Sequence, residues 1–345
     1  MVNRLNGVVQ HFDWGDQSTI PKFLGQEPNG RPWAELWFGT HVGGPSVLDV
    51  DDDHRTLVSY TGELSFLVKV IASARPLSLQ THPTQEQARI GFENENNAGI
   101  ALHDPSRNYR DSSAKPELLC ALNNFEAVCG FRPIEESLQI CEENGWSELA
   151  DHLRRDGLEQ CVRWALSTQS HVLPAHLPNW AQRLAIAYPG SGGILVALLM
   201  HHVQLVPGEA LFLDAGNVHA YLNGTAVEVM SSSDNVVRAA FTNKHIDIDE
   251  FFHVANFSPN PPPLCQSSQI DDNCWQYLVP TTAFGVQRIE VRDNYLVTAT
   301  HAAEILLCTE GDGGTLKRGQ ASVLRSGETL QLSGLATVFR TWGSQ

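Results

Sequence analysis

The segment Leu77-Ser78-Leu79-Gln80-Thr81-His82-Pro83 alternates between two kinds of side chain with a period of two. On a β-strand that period sends Ser78, Gln80 and His82 to one face and Leu77, Leu79 and Thr81 to the other, so the amide of Gln80 and the imidazole of His82 can reach a common point. Two other clusters offer matching chemistry. Lys115-Pro116-Glu117 sets a carboxylate beside an ammonium, and Gly216-Asn217-Val218-His219-Ala220-Tyr221 offers a second imidazole. Two imidazoles, one carboxylate and one amide oxygen make a mixed nitrogen and oxygen donor set, which suits zinc with one coordination position left open.

Composition narrows the ligand. The 345 residues carry a formal charge of −16, which argues against a nucleic-acid surface because phosphate backbones need basic patches. A small phosphorylated ligand is still allowed, held by a few local cations, and Lys115, Arg238 and Lys244 are candidates. The seven cysteines, Cys120, Cys129, Cys141, Cys161, Cys265, Cys274 and Cys308, are odd in number and contain no CxxC. They read as reduced thiols, most of them in the core, of a cytoplasmic protein. Asn3, Arg4 and Asn6 interrupt any secretory segment after Met1. The longest apolar run, 194–200, is too short to span a bilayer, so no membrane partner is expected.

The elements that must position these groups are mostly short strands between Gly, Pro and Asp turns. Residues 64–71, 210–213, 226–230 and 236–241 are apolar and β-prone. Strands of this length and number predict a mainly β fold of sandwich or jelly-roll type. The middle differs. From Glu135 to about Leu166 apolar residues recur at helical spacing, as in Leu138 with Cys141 and Leu149 with Leu153, and 178–187 adds another short helix. Thr84 and Gln87 spell a capping box for a helix running toward Glu95, and Asp249 is expected to cap a short helix through Phe252. The Pro-rich stretch 258–263 reads as a linker. The expected division is a β domain in two parts, 1–133 and 188–258, a helical insertion at 134–187, and a small C-terminal β domain at 264–345.

Further motifs run through the chain: Asp13-Trp14-Gly15, Ala34-Glu35-Leu36-Trp37 with Gly39-Thr40-His41, Asn108-Tyr109-Arg110-Asp111, Gly130-Phe131-Arg132-Pro133, Pro207-Gly208-Glu209, and Ser233-Asp234-Asn235-Val236-Val237-Arg238-Ala239 followed by Thr242 and Lys244. Taken in order with the three clusters above, they resemble type I mannose-6-phosphate isomerase (phosphomannose isomerase), a zinc enzyme family of the cupin superfamily. The resemblance runs to about Asp249; beyond it the chain matches only loosely, as a second, degenerate cupin. It implies a cupin jelly-roll catalytic domain and Gln80, His82, Glu117 and His219 as ligands of one zinc per chain, another divalent metal being possible. It also implies Arg238 as an active-site arginine, interconversion of mannose 6-phosphate and fructose 6-phosphate, and a monomer. The chain departs from the family at Ser113-Ala114, where members often have Asn-His, so a proton-relay role for that histidine cannot apply here.

Aldose–ketose isomerisation moves a proton between C1 and C2 through a cis-enediol and needs a base within hydrogen-bond reach. Asp234 is the first choice, with Glu228 and Lys115 as alternatives. Arg238 suits either the enediolate charge or the phosphate. Ser78, Lys244 and Glu228 are further candidates for substrate contact. His11, His41, His54 and His301 read as surface or core residues. Two rival readings use the same donors. One is a cupin dioxygenase, which the Gln80 amide disfavours because such sites gather three histidines and a glutamate around iron. The other is a non-catalytic sugar-phosphate sensor.

Overall fold

The computed structural model describes residues 3–49, 55–167 and 171–343; His54 lies outside them. Nine strands frame the site: β1 (Glu35–Gly39), β2 (Phe66–Ser73), β3 (Leu79–Thr81), β4 (Glu117–Ala121), β5 (Phe125–Phe131), β6 (Met200–Leu205), β7 (Ala210–Leu213), β8 (His219–Ser231) and β9 (Val237–Ala240). All their pairings are antiparallel. One layer runs from Val8–Gln10 through β1, β2, β8, β4 and β7 to Leu264–Cys265; the other runs β9, β3, β8, β5, β6.

β8 belongs to both layers. Residues 219–223 pair with β3 and β5, and residues 224–231 pair with β2 and β4. The strand changes sheet at Gly224, whose φ is 123°. A Cβ there would come within 2.7 Å of the Phe125 ring, so only glycine fits the bend.

Period-two alternation divides each layer into a packing face and a site face. Val68, Val70, Leu118, Cys120, Val227 and Val229 bury against Val286, Ile305, Leu307 and Phe339 of the C-terminal sheet. The residues between them, Lys69, Glu117 and Glu228, therefore face inward. In the other layer Leu79, Ala220, Val237 and Ala239 pack on the helical block through Leu149, Leu153, Val162 and Leu184. Gln80, His219 and Arg238 are left on the opposite face. Full burial of each Leu or Val contributes about 1.5–3 kcal/mol. A one-residue slip would lose that and turn the polar set into the core.

The expected helices are present, as Ile134–Asn144, Ser147–Ser167 (broken at Gly157) and Asn179–Ala187. Thr84 and Gln87 form the capping box of Gln85–Asn97. The later cap differs from expectation. Ile248–Val254 is capped by Asp247, whose carboxylate accepts the Glu250 N–H at 3.0 Å, while Asp249 sits inside the first turn. Asp247 has the extended backbone a cap needs, and the acidic run 247–250 hides which carboxylate takes that place.

The eight-stranded C-terminal sheet also takes in two N-terminal strands. Arg4–Asn6 lies between Ala321–Arg325 and Val47–Asp49. All seven cysteines are free thiols. Among the described residues no helix is long and apolar enough to cross a membrane.

Candidate metal centre

Strand register sets three polar side chains in one row. Gln80 on β3 pairs with His219 on β8 on one side and with Arg238 on β9 on the other. Directly paired residues of antiparallel strands point to the same face, so the amide, the imidazole and the guanidinium stand side by side. His82 follows β3 by one residue and is fully buried; Glu117 opens β4 and is 1% exposed.

The donors converge. Among the described residues, His82, Glu117 and His219 each offer an atom, and the three atoms lie within 4.8 Å of one another. His82 Nε2 is 3.3 Å from Glu117 Oε1, and His219 Nε2 is 3.7 Å from Glu117 Oε2. Backbone carbonyls fix both tautomers. His82 Nδ1 lies 2.8 Å from the Asn235 oxygen, and His219 Nδ1 lies 3.0 Å from the Asn217 oxygen. A carbonyl only accepts, so each ring donates from Nδ1 and presents a lone pair at Nε2. His82 Nε2 is buried without a hydrogen-bond partner. Gln80 lies beside these donors: its amide nitrogen is 3.3 Å from His219 Nε2, and its oxygen accepts the Ser78 hydroxyl at 2.7 Å. A half-turn of the amide suits Ser78 equally well, because a hydroxyl accepts as readily as it donates.

The charges match this geometry. Burial pushes the Glu117 carboxyl up, but the Lys115 ammonium at 2.9 Å and His82 outweigh it and hold the group well below the usual carboxylate range. Burial holds the His82 imidazole below its ordinary value. His219 is brought down to about 4 by burial and by His82 beside it. At neutral pH the site is thus two neutral imidazoles around an ionised carboxylate, the protonation state a divalent cation requires. Two imidazole lone pairs, one of them on the otherwise unpartnered His82 Nε2, and one carboxylate fit zinc by chemistry, with room for a further ligand.

Beneath the donors lies a buried polar layer. Lys69 Nζ is 3.0 Å from Glu228 and 3.8 Å from Glu35. The Tyr221 hydroxyl donates to Glu228 at 3.0 Å and lies 3.4 Å from Glu117. Burial raises the Glu228 carboxyl despite the neighbouring Lys69. The sequence signal for Lys69 is a weak one, a lone cation in the apolar run 66–71.

Beside the donors stand three cations. Arg110, Arg238 and Lys244 have no carboxylate at ion-pair distance among the described residues. Burial, then the Arg110 charge, brings the Arg238 guanidinium down to about 10, with Asp234 pulling weakly the other way. Burial and the two arginines also hold Lys244 below its ordinary value, with its ammonium 4.7 Å from the centre of the Phe12 ring. Arg110 sits within the Asn108–Asp111 motif, where nothing in the sequence marks it as functional. Asp234 shares this region. Burial raises its carboxyl, yet the hydrogen bond and charge of His41, with Lys115 and Lys69 behind, bring it to about 2. His41, read from sequence as a surface or core residue, is buried with its Nε2 3.3 Å from Asp234 Oδ2.

Comparison with known proteins agrees with this arrangement. Residues 2–134 match the family described as phosphomannose isomerase type I, catalytic domain. Mannose-6-phosphate isomerase of Escherichia coli (strain K12) is 32% identical over 95% of this chain and 94% of its own length. The Homo sapiens mannose-6-phosphate isomerase is 29% identical over 89% and 87% of the two chains. A mutant phosphomannose isomerase from Salmonella typhimurium, solved by crystallography, is 28% identical with a TM-score of 0.90 over the full length of both chains. A zinc-bound mannose 6-phosphate isomerase matches with the same figures. With the family model over residues 2–134 and a relative 32% identical across 95% of the chain, one assignment is left: the chain belongs to the type I mannose-6-phosphate isomerases.

Proposed function

We propose that the chain interconverts mannose 6-phosphate and fructose 6-phosphate through a cis-enediol, with zinc, or another divalent metal, held by Gln80, His82, Glu117 and His219. The observation that carries this reading is the convergence of two Nε2 lone pairs on an ionised carboxylate, beside three cations with no carboxylate at ion-pair distance among the described residues. When bound to these donors, zinc supplies a Lewis acid that polarises the sugar oxygens at C1 and C2.

The rest of the chemistry belongs to the protein. The guanidinium of Arg238, with Lys244 and Arg110, offers charge for the phosphate dianion or the developing enediolate. Lys115 keeps Glu117 ionised and stands next to the reacting end. We assign the base to Asp234, ionised at every working pH, with Glu228 and Lys115 as alternatives. Ser78 is assigned a double task, holding the Gln80 amide and touching substrate, and Glu228 is assigned contact with the sugar from below. The division into a two-part catalytic β domain (1–133 and 188–258), a helical insertion (134–187) and a C-terminal β domain (264–345) belongs to the same reading. So do a cytoplasmic setting, favoured by seven free thiols, and a monomer, favoured by a donor set drawn from one chain.

A coupled assay that reads formation of fructose 6-phosphate tests the proposal. Activity should fall as zinc is chelated and return when zinc is restored. Turnover that persists after complete, verified demetallation would reject the mechanism.

A further inference from the structure

Asp234 has a backbone fixed by hydrogen bonds and a half-exposed carboxylate with a single polar contact among the described residues. Its N–H donates to Asp111 Oδ2 at 2.8 Å. On either side, the Ser233 hydroxyl donates to Asp111 Oδ1 at 2.9 Å and the Asn235 amide donates to the carbonyls of Asp111 and Ser113. The loop is therefore tied down at every residue but one side chain. Among the described residues, the sole polar partner of the Asp234 carboxylate is His41, with Nε2 3.3 Å from Oδ2.

His41 is built for this contact. It follows β1 in a tight turn closed by the Gly44 N–H on the His41 oxygen at 3.0 Å. Its Nδ1 accepts the Gly43 N–H at 3.1 Å. An N–H only donates, so Nδ1 holds the lone pair and the proton of the neutral ring sits on Nε2, facing Asp234. Trp37 packs on the ring at 85°, with centroids 5.2 Å apart, and prevents it from turning. Both nitrogens are thus committed and the ring orientation is set by its neighbours.

We propose that His41 is the positioning residue for Asp234: it donates from Nε2 and holds the carboxylate in the rotamer from which it reaches the sugar carbons. The inference rests on the isomerase reading and on Asp234 as its base. In that reaction Asp234 removes the proton from the carbon next to the carbonyl. The C–H electron pair becomes the C1–C2 double bond as the carbonyl π pair moves onto its oxygen. The same proton then returns to the neighbouring carbon, while the hydroxyl proton of the carbon that lost hydrogen passes to the former carbonyl oxygen and leaves a new carbonyl behind. His41 keeps its own proton throughout and acts only through Asp234.

Three substitutions in the zinc-loaded full chain separate positioning from packing. His41→Phe keeps a ring against Trp37 and loses the donor. His41→Gln places an amide N–H near the Nε2 position, and His41→Asn places one that falls short of Asp234. The Phe and Asn variants should lose about tenfold to a hundredfold in kcat, with KM for mannose 6-phosphate within about twofold and zinc content unchanged, while Gln restores most of the rate. Unchanged kcat in His41→Phe, or equal rates in the Gln and Asn variants, overturns the proposal, and the second comparison stands even where the Phe variant fails to fold. Nitrogen-15 NMR of the wild-type imidazoles gives a readout independent of turnover. His41 should show the Nε2–H tautomer, and an Nδ1–H tautomer overturns the geometry. A wild-type chain without isomerase turnover that still shows the Nε2–H tautomer would defeat the isomerase reading and leave the contact itself established.

Discussion

Replacing Arg238 with methionine should make the substrate-free protein more stable and the enzyme far slower. Burial and the Arg110 charge bring the guanidinium well below its ordinary value, to about 10. At about 1.4 kcal/mol per tenfold change, about 3 kcal/mol opposes keeping that charge in place. Methionine preserves much of the apolar stem and sheds the charge; lost contacts around the missing guanidinium cost about 1 kcal/mol. The net expectation is a gain of about 1–2 kcal/mol, a rise of a few degrees in Tm for a chain of this size. The same change removes a charge-assisted grip on phosphate or enediolate and should lower kcat/KM by about 10²–10³. Calorimetry of the zinc-loaded, substrate-free protein reads the first quantity, and steady-state kinetics with mannose 6-phosphate reads the second. Inorganic phosphate should raise the wild-type Tm more than that of the variant, because ligand binding stabilises only the form that grips it. A variant with a lower Tm and near-normal kcat/KM would refute the reasoning, since a structural arginine with a hidden partner behaves in that way.

Two further substitutions probe other parts of the molecule. His219→Ala should bind less than one zinc per chain by elemental analysis while keeping its far-ultraviolet circular dichroism, because a third of the buried donor cluster is lost and its carbonyl-fixed lone pair cannot be replaced; full zinc occupancy in this variant would exclude His219 as a ligand. In the C-terminal sheet, the Glu304 carboxylate is fully buried and accepts Arg340 Nε at 2.6 Å, with the Thr300 and His301 N–H groups at 2.8 and 3.1 Å. Glu304→Gln should cost about 3 kcal/mol in urea unfolding at pH 7. The pH dependence follows from the sign of the shift. Burial raises this carboxyl, but Arg340 and His301 outweigh it and hold it below 4.5 in the fold. Its stabilisation is therefore complete above that value and is lost as pH falls through the folded value. The gap between wild type and variant should close as pH falls below about 4; a gap that persists unchanged down to about pH 2 would be inconsistent with an ionised Glu304.

Local pattern carried much of the site. The alternation around Gln80 sets which residues share a face, and the Thr84–Gln87 capping box sets where the next helix starts; both are short-range effects written in consecutive residues. What sequence missed was non-local or masked by repetition. Nothing near Arg4–Asn6 says that its partner is Ala321–Arg325. Asp247 and Asp249 are chemically equal, and only the backbone at Asp247 makes it the cap. His41 reads as one of fourteen histidines until the turn 41–44 swings its ring beside Asp234. Arg110 and Lys69 are single cations with no periodic mark, and their meaning comes from the charges that folding gathers around them.

The N-terminal strand in the C-terminal sheet has a consequence for how the molecule is made. The Asn3 carbonyl accepts the Ser322 hydroxyl from 319 residues away. On the ribosome, Arg4–Asn6 emerges well before Ala321–Arg325, so one of its edges stays bare until that distant partner has been synthesised. Contacts this distant slow closure. A nascent chain released early would carry that open β edge into the cell as a point of attachment for its neighbours.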